Sequence, residues 1–219
     1  MVASHIRSKQ RVRDHGEVFT PDFIVNDMLD LVKNETRNLY SRFLEPACGD
    51  GNFLIEVLRR KLEEVARVYK KSQFDFEKYS LMAVSSIYGV ELLEDNVKVA
   101  QERLYNFFLD EYKKIYKNRT HEVFLKNIKY LFSRNILQGD ALSLKNNNGE
   151  PIVFSEWSLV KGTKIIRRDF QFLDLAEFDN TENLFSNREE SDLGKSVFMP
   201  KAINEYPAVN FMELYKSYE

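Results

Sequence analysis

The stretch FLEPACGDGNF, Phe43 to Phe53, decides the fold. Apolar residues run into Glu45 and Pro46, two glycines bracket Asp50, and Asn52 opens a run that places Leu54, Leu58, Leu62 and Val65 along one helical side. A short strand, a tight glycine turn and an amphipathic helix form the opening of a βαβ unit. Gly49 and Gly51 allow positive φ and leave no Cβ in the way of a ligand. The turn falls at the carboxyl end of the first strand, where open α/β sheets bind their ligands. An ordinary strand-to-helix turn can have the same composition, so other strand ends must decide whether a ligand sits there.

Working outward, two further strands end in acids. IYGVEL reads as a buried strand finishing at Glu91, and NILQGDAL as a third strand turning at Gly139-Asp140. A carboxylate at the second strand end can accept hydrogen bonds from both ribose hydroxyls, and Asp140 is positioned to accept from an adenine amino group. Either acid alone could be a solvated loop residue; three strand ends each bearing one are harder to dismiss. The helical spacing predicts helices after Asn52, over Phe76–Ser85, over Asp95–Tyr116 with Val97, Ala100, Leu104, Phe107 and Phe108 inward, and across EVFLKNIKYLF. Strands alternating with helices predict an α/β fold with a parallel, three-layer sheet.

Before the glycine turn, Thr20-Pro21 predicts a helix start with Thr20 as cap and Pro21 in the first helical position. The face Ile24, Met28, Leu31 and Val32 is expected to pack inward. Residues 1–19 form a basic arm with Arg7, Lys9, Arg11 and Arg13 at alternate positions, a solvated segment or one that meets phosphate. After Leu142 the texture changes. KNNNGEP is turn-rich, PIVFSEW and TKIIRRDFQFLDL read as a hairpin, residues 177–195 form an acidic loop, and EYPAVNFMELYKSYE closes in a short helix. The expected organisation is therefore 1–19 arm, 20–142 cofactor-binding core, and 143–219 a divergent C-terminal part. No internal repeat is found.

Charge narrows the ligand. Glu45 and Asp50 flank the turn, and two carboxylates repel a diphosphate and suit a cation. The G-x-x-x-x-G-K-[ST] phosphate loop is also absent. A nucleoside carrying positive charge, S-adenosylmethionine, fits better than NAD or ATP. Across 219 residues the formal net charge is −2, so no global basic field announces nucleic acid. Cys48 is the only cysteine and the three histidines lie far apart, so no metal site is expected. No apolar run is long enough to span a bilayer, residues 1–17 lack a signal-peptide apolar core, and a cytoplasmic location is expected.

GEVFTP (Gly16–Pro21), EPACGDGNFL (Glu45–Leu54), YGVEL (Tyr88–Leu92) and LQGDAL (Leu137–Leu142) resemble, in order and spacing, successive motifs of bacterial DNA adenine-N6 methyltransferases. The group most similar is the modification subunits of restriction systems with an N-terminal F-T-P motif; the resemblance covers roughly residues 10–142. It implies a class I, Rossmann-like methyltransferase fold and S-adenosylmethionine as cofactor. Glu17, Phe19, Thr20 and Pro21 would then line the methionine and adenine side. Glu45, Ala47, Gly49 and Gly51 would form the cofactor turn, with the Glu45 carboxylate near the methionine ammonium. Glu91 would take the ribose hydroxyls, Leu92 would lie beside the adenine, and Asp140 with Ala141 would receive the adenine N6. Cys48 occupies a motif position as a small buried residue, not as a nucleophile.

The family's catalytic motif, Asp/Asn/Ser-Pro-Pro-aromatic, is missing: none of the five prolines is adjacent to another. Its nearest substitutes are Ser155 and Trp157 in VFSEWS, which lack the rigid turn. Lys161, Lys164, Arg167 and Arg168 could touch DNA phosphates, as could Arg11 and Arg13. The expected function is thus a methyltransferase-like subunit of a restriction–modification system, incomplete for transfer alone, binding DNA weakly and completed by a second methyltransferase or specificity subunit. The alternative is a non-catalytic S-adenosylmethionine-binding scaffold or sensor. A class I enzyme acting on RNA or a small molecule would not need the double proline, but F-T-P counts against it.

Overall fold

The computed structural model describes residues 11, 13, 20–160, 162–176, 188–190, 196–198 and 201–218. The expectations for Glu17, Phe19, Lys161 and most of the arm and acidic loop lie outside the described residues.

Three parallel strands form the central sheet: β1 (Phe43–Glu45), β2 (Ile87–Glu91) and β3 (Ile136–Gln138), in the order β1-β2-β3. Leu44 stands opposite Tyr88, Glu45 opposite Gly89, and Glu91 opposite Gln138, so the acidic strand ends point the same way. Around the strands lie α1 (Asp22–Asp30), α2 (Lys33–Arg37), α3 (Asn52–Tyr69), α4 (Gln73–Ser85), α5 (Glu94–Tyr116) and α6 (Glu122–Asn135). Both crossovers and all three strands fall where the sequence periodicity placed them.

Leu54, Leu58, Leu62 and Val65 of α3, Val97, Ala100, Leu104 and Phe108 of α5, and Phe124, Ile128 and Leu131 of α6 belong to one buried cluster, in which α3 and α6 each pack on α4 and α5. Gly89 is required at the centre of β2, because an added Cβ would stand 2.9 Å from both Cys48 Sγ and Leu54 Cδ1. On the opposite face Tyr88 and Val90 join a second cluster with Ile152, Phe154 and Phe172. That cover comes from Phe154 in a hairpin, β4 (Val153–Val160) and β5 (Lys164–Gln171), and from Ile152 and Phe172 that flank it. The second layer on that face is therefore antiparallel sheet, where the sequence reading expected helices on both sides.

The chain ends in α7 (Phe172–Ala176), the short strands β6 (Arg188–Glu190), β7 (Ser196–Phe198), β8 (Asn204–Glu205) and β9 (Val209–Asn210), a 3₁₀ turn (Phe211–Glu213) and α8 (Leu214–Tyr218). Strands β8 and β9 pair with β5. Trp157, Ile165, Phe211 and Leu214 belong to the same buried cluster as the helices, so the C-terminal part shares the main core.

α1 departs from expectation. Pro21, not Thr20, is its capping residue, and no side chain caps it. Its buried pair is Val25 and Leu29, while Ile24, Met28, Leu31 and Val32 are exposed. The cause is a polar clamp: Arg60 of α3 donates to Asn26 O and Asn26 Oδ1 and pairs with Asp30. Those bonds set the rotation of a nine-residue helix that has only one apolar i,i+4 pair facing α3.

Candidate cofactor site

The glycine turn adopts the conformation its sequence requires. Gly49 has φ +52° and Gly51 φ +93°, both in the left-handed region. Gly51 sits at the cap of α3, and a Cβ there would meet Ala100 Cβ at 3.4 Å. The Gly51 N–H donates to Cys48 O at 2.8 Å, which closes the turn.

A cavity of about 560 Å³ opens over the strand ends, a size in the range of small-molecule sites. It brings together Thr20, Glu45, Ala47, Gly49, Glu91, Leu92, Asp140 and Ala141, all predicted from sequence. Pro21 and Gly51 shape the site without lining the cavity. Sequence reading missed Asn52, Phe53, Leu93, Asn96 and Leu142 as lining residues. Asn52 and Phe53 directly follow the glycine turn, which was the available signal; Leu93 and Asn96 begin α5 just past Glu91.

Glu91 is 8% exposed. Its Oε2 accepts from the Gly49 N–H at 3.0 Å, and its Oε1 accepts from the Leu93 N–H at 3.0 Å and Asn96 Nδ2 at 3.4 Å. The same carboxylate thus ties the glycine turn to the start of α5. Burial raises the pKa of Glu45, opposed by the Ala47 N–H. Asp140 is held below the usual carboxylate range by the Leu142 N–H and by Ser143, an Asx-type turn with Leu142 N to Oδ1 at 2.9 Å. Burial, with the charges of Glu91 and Glu45, pushes the Cys48 thiol up to about 12, which agrees with a packing role.

Asp50 is divided. One oxygen, Oδ2, pairs with Arg103 Nη1 at 2.5 Å, while Oδ1 is buried without a hydrogen-bond partner. Arg103 of α5 also donates to Asp50 O and to Asn52 Oδ1, each at 2.8 Å. Asn52 Nδ2 in turn donates to Thr20 O at 3.2 Å. Nothing in the sequence signalled Arg103, because it lies fifty-three positions from Asp50.

Ser155 and Trp157 face elsewhere. Ser155 is fully buried and donates to Asp169 Oδ1 at 2.8 Å; Trp157 Nε1 donates to Asn135 Oδ1 at 3.0 Å. Neither lines the cavity over the strand ends. Arg167, expected among the phosphate contacts, is 4% exposed and forks onto Asp169, so burial removes it from that set. Arg168 pairs with Glu205 and Glu156, Arg11 pairs with Asp95, and Lys164 is exposed. Among the described residues no cluster could hold a metal ion, and no helix is long and apolar enough to cross a membrane.

The DNA-methyltransferase domain of MmeI matches residues 24–154, from α1 to the start of β4. The chain belongs to this family. A protein of Methanocaldococcus jannaschii named as a type II restriction enzyme and methyltransferase is 34% identical over 92 residues. That alignment covers 41% of this chain and 8% of the relative, so the chain spans a small fraction of the relative's length. No solved structure matches it. The resemblance to restriction–modification methyltransferases read from the motifs therefore holds.

Proposed function

We propose that this chain is the S-adenosylmethionine-binding part of a DNA adenine-N6 methyltransferase in a restriction–modification system, with a class I, Rossmann-like core at 20–142. The observation that carries the reading is the single cavity where three parallel strand ends deliver Glu45, Glu91 and Asp140 around a left-handed glycine turn. The donor set fits a cationic nucleoside: Glu45, Asp50, Glu91 and Asp140 line the cavity, and among its described lining residues there is no Lys or Arg to form a phosphate cradle. Glu91 would accept from the ribose hydroxyls with its remaining lone pairs, Asp140 from the adenine amino group, and Glu45 would face the methionine ammonium. Charged hydrogen bonds of this kind contribute about 1.5–3 kcal/mol each. When bound, the cofactor supplies an electrophilic methyl group.

The reading includes incompleteness. No Pro-Pro pair exists to aim an acceptor at the target amino group, and Ser155 and Trp157 are buried in other bonds. Among the described residues β1 is an edge strand of its sheet, and a second cavity of about 750 Å³, lined in part by Leu44, Tyr88, Phe154 and Phe170, runs beside it. That edge, which pairs with no described strand, is where a further strand could carry the missing motif. Losing one positioned group in a preorganised site costs about 10²–10³ in rate, so the chain alone should transfer little methyl. DNA contact through Arg11, Arg13 or Lys164 should be weak and salt-sensitive.

Calorimetry with S-adenosylhomocysteine tests the cofactor. Binding is expected, and Glu91→Ala should abolish it by freeing the Gly49 and Leu93 N–H groups together. No heat from the folded wild-type chain would sink the assignment. Tritiated-methyl transfer to unmethylated DNA, with and without a candidate partner, tests incompleteness; robust N6-methyladenine formation by the chain alone would overturn it.

A further inference from the structure

The bond pattern at Asp50 has a meaning beyond holding the turn. The Asp50 carboxylate borders the cofactor cavity, one oxygen buried without a partner and the other on Arg103. Arg103 reaches the turn from α5 with 38% of its side chain exposed, but does not itself line the cavity. It contributes a full positive charge one bond behind the wall. Glu45 and Glu91 line the same cavity, and among the described residues no cation pairs with either. The net field on a bound cofactor therefore depends on how far Arg103 offsets Asp50.

We infer that the Asp50–Arg103 pair is a charge-setting, positioning device that tunes the cavity's discrimination between S-adenosylmethionine and S-adenosylhomocysteine, and so the product inhibition of the site. This rests on the functional reading above. The two ligands differ by a methyl group and by the sulfonium charge. A unit charge added or removed several ångströms away in a partly hydrated site changes the affinity of the cation and not that of the neutral product, by roughly three- to tenfold. Arg103 sets geometry as well, since its fork holds Asp50 O, Asp50 Oδ2 and Asn52 Oδ1, and Asn52 carries the restraint on to Thr20.

The two functions separate in the ratio of affinities. Loosening the turn weakens both ligands alike and leaves the ratio unchanged. Changing the field moves the ratio, in opposite directions for the two members of the pair. Arg103→Gln unmasks the Asp50 charge, so preference for the sulfonium ligand should rise about three- to tenfold even as both affinities fall. Asp50→Asn leaves Arg103 unopposed, so that preference should fall by a similar factor. Arg103→Lys keeps the charge but not the planar fork; both affinities should drop while the ratio stays near that of wild type.

The measurement is calorimetric titration of the full chain and the three variants with each ligand at low and at high salt, with circular dichroism to confirm folding. Opposite shifts for Arg103→Gln and Asp50→Asn, reduced at high salt, support the inference. Parallel losses with an unchanged ratio overturn it and leave Arg103 a structural latch. If one of those variants does not fold, the other decides by the sign of its shift, with Arg103→Lys as the charge-conserving reference. A wild-type chain that binds neither ligand would instead remove the functional reading itself, a different outcome from binding without a shift.

Discussion

Around Arg167 the guanidinium, the carboxylate and the hydroxyls all pair with one another; around Asp50 a buried carboxylate oxygen has no partner. Arg167 donates to both oxygens of Asp169 at 2.8 Å, to Ser155 Oγ and to Tyr130 Oη, and Tyr206 Oη donates to Asp169. Its guanidinium carbon lies 4.4 Å from the Tyr206 ring centroid, with Trp157 and Tyr218 also close. A buried network of this kind, each member paired with another, holds shape. At the glycine turn Arg103 holds the Asp50 carbonyl and Asn96 the Glu91 carboxylate, while Asp50 Oδ1 is buried without a hydrogen-bond partner. Buried polar groups in proteins are nearly always satisfied, so the unpaired Asp50 oxygen beside the cavity is an exception in a turn that is otherwise bonded.

The largest test of that contrast is to break the closed network. Burial alone would raise the Asp169 pKa, but the Arg167 fork, Ser155 and Tyr206 hold it below the usual range. Arg167→Met strands a buried carboxylate, and removing one partner of such a pair typically costs about 3–5 kcal/mol. Urea unfolding should show a loss of that size, with cofactor affinity of the remaining folded protein nearly unchanged. A loss below about 1 kcal/mol would show that the network is open to water and that the contrast with Asp50 is false.

Lys61 offers a sharper and smaller test, because it is a buried cation held by carbonyls and not by a carboxylate. It is fully buried, and its Nζ donates to Asn38 O at 2.6 Å and Ser41 O at 2.7 Å. Burial pulls its pKa down to about 7, with Glu35 opposing. The folded pKa is thus below the unfolded value of 10.5. Between those values unfolding takes up a proton, so this group's contribution to stability rises with pH, by at most about 1.4 kcal/mol per pH unit. Wild type should therefore gain on Lys61→Met by roughly 1–2 kcal/mol between pH 7.5 and 9. Parallel pH profiles for the two proteins would mean that Lys61 keeps its proton throughout.

What could be read from sequence follows the same division. Strand ends were legible because each combines local apolar runs with an acid at a turn: Glu45, Glu91 and Asp140 all reach one cavity. Gly51 was legible because its backbone conformation excludes other residues locally. Arg103 and Arg167 were not, since their roles depend on partners brought close only by tertiary packing. Arg167 looked like one basic residue in a basic hairpin; strand alternation turns it inward while Arg168 faces out to Glu205. Trp157, a weak candidate for a stacking wall, has the core role expected of most such aromatics, its ring fixed by Asn135 between Tyr130 and Tyr218.

The rotation of α1 is the same lesson at its weakest amplitude. Periodicity selected Ile24, Met28, Leu31 and Val32, yet Leu31 is 87% exposed while Val25 and Leu29 are 1% and 6% exposed. Two apolar faces of similar strength share one short helix, and the Arg60 clamp on Asn26 and Asp30 chooses between them. Leu31→Lys should then change stability by no more than about 0.5 kcal/mol, as exposed substitutions do. Leu29→Ala in the same helix should cost about 2–3 kcal/mol by emptying a buried site. Thermal unfolding of both variants reads the rotation directly. If Leu31→Lys were the more damaging, α1 would sit turned toward its other face, Asn26 could not meet Arg60, and the anchoring of Thr20 beside the cavity would need a different explanation.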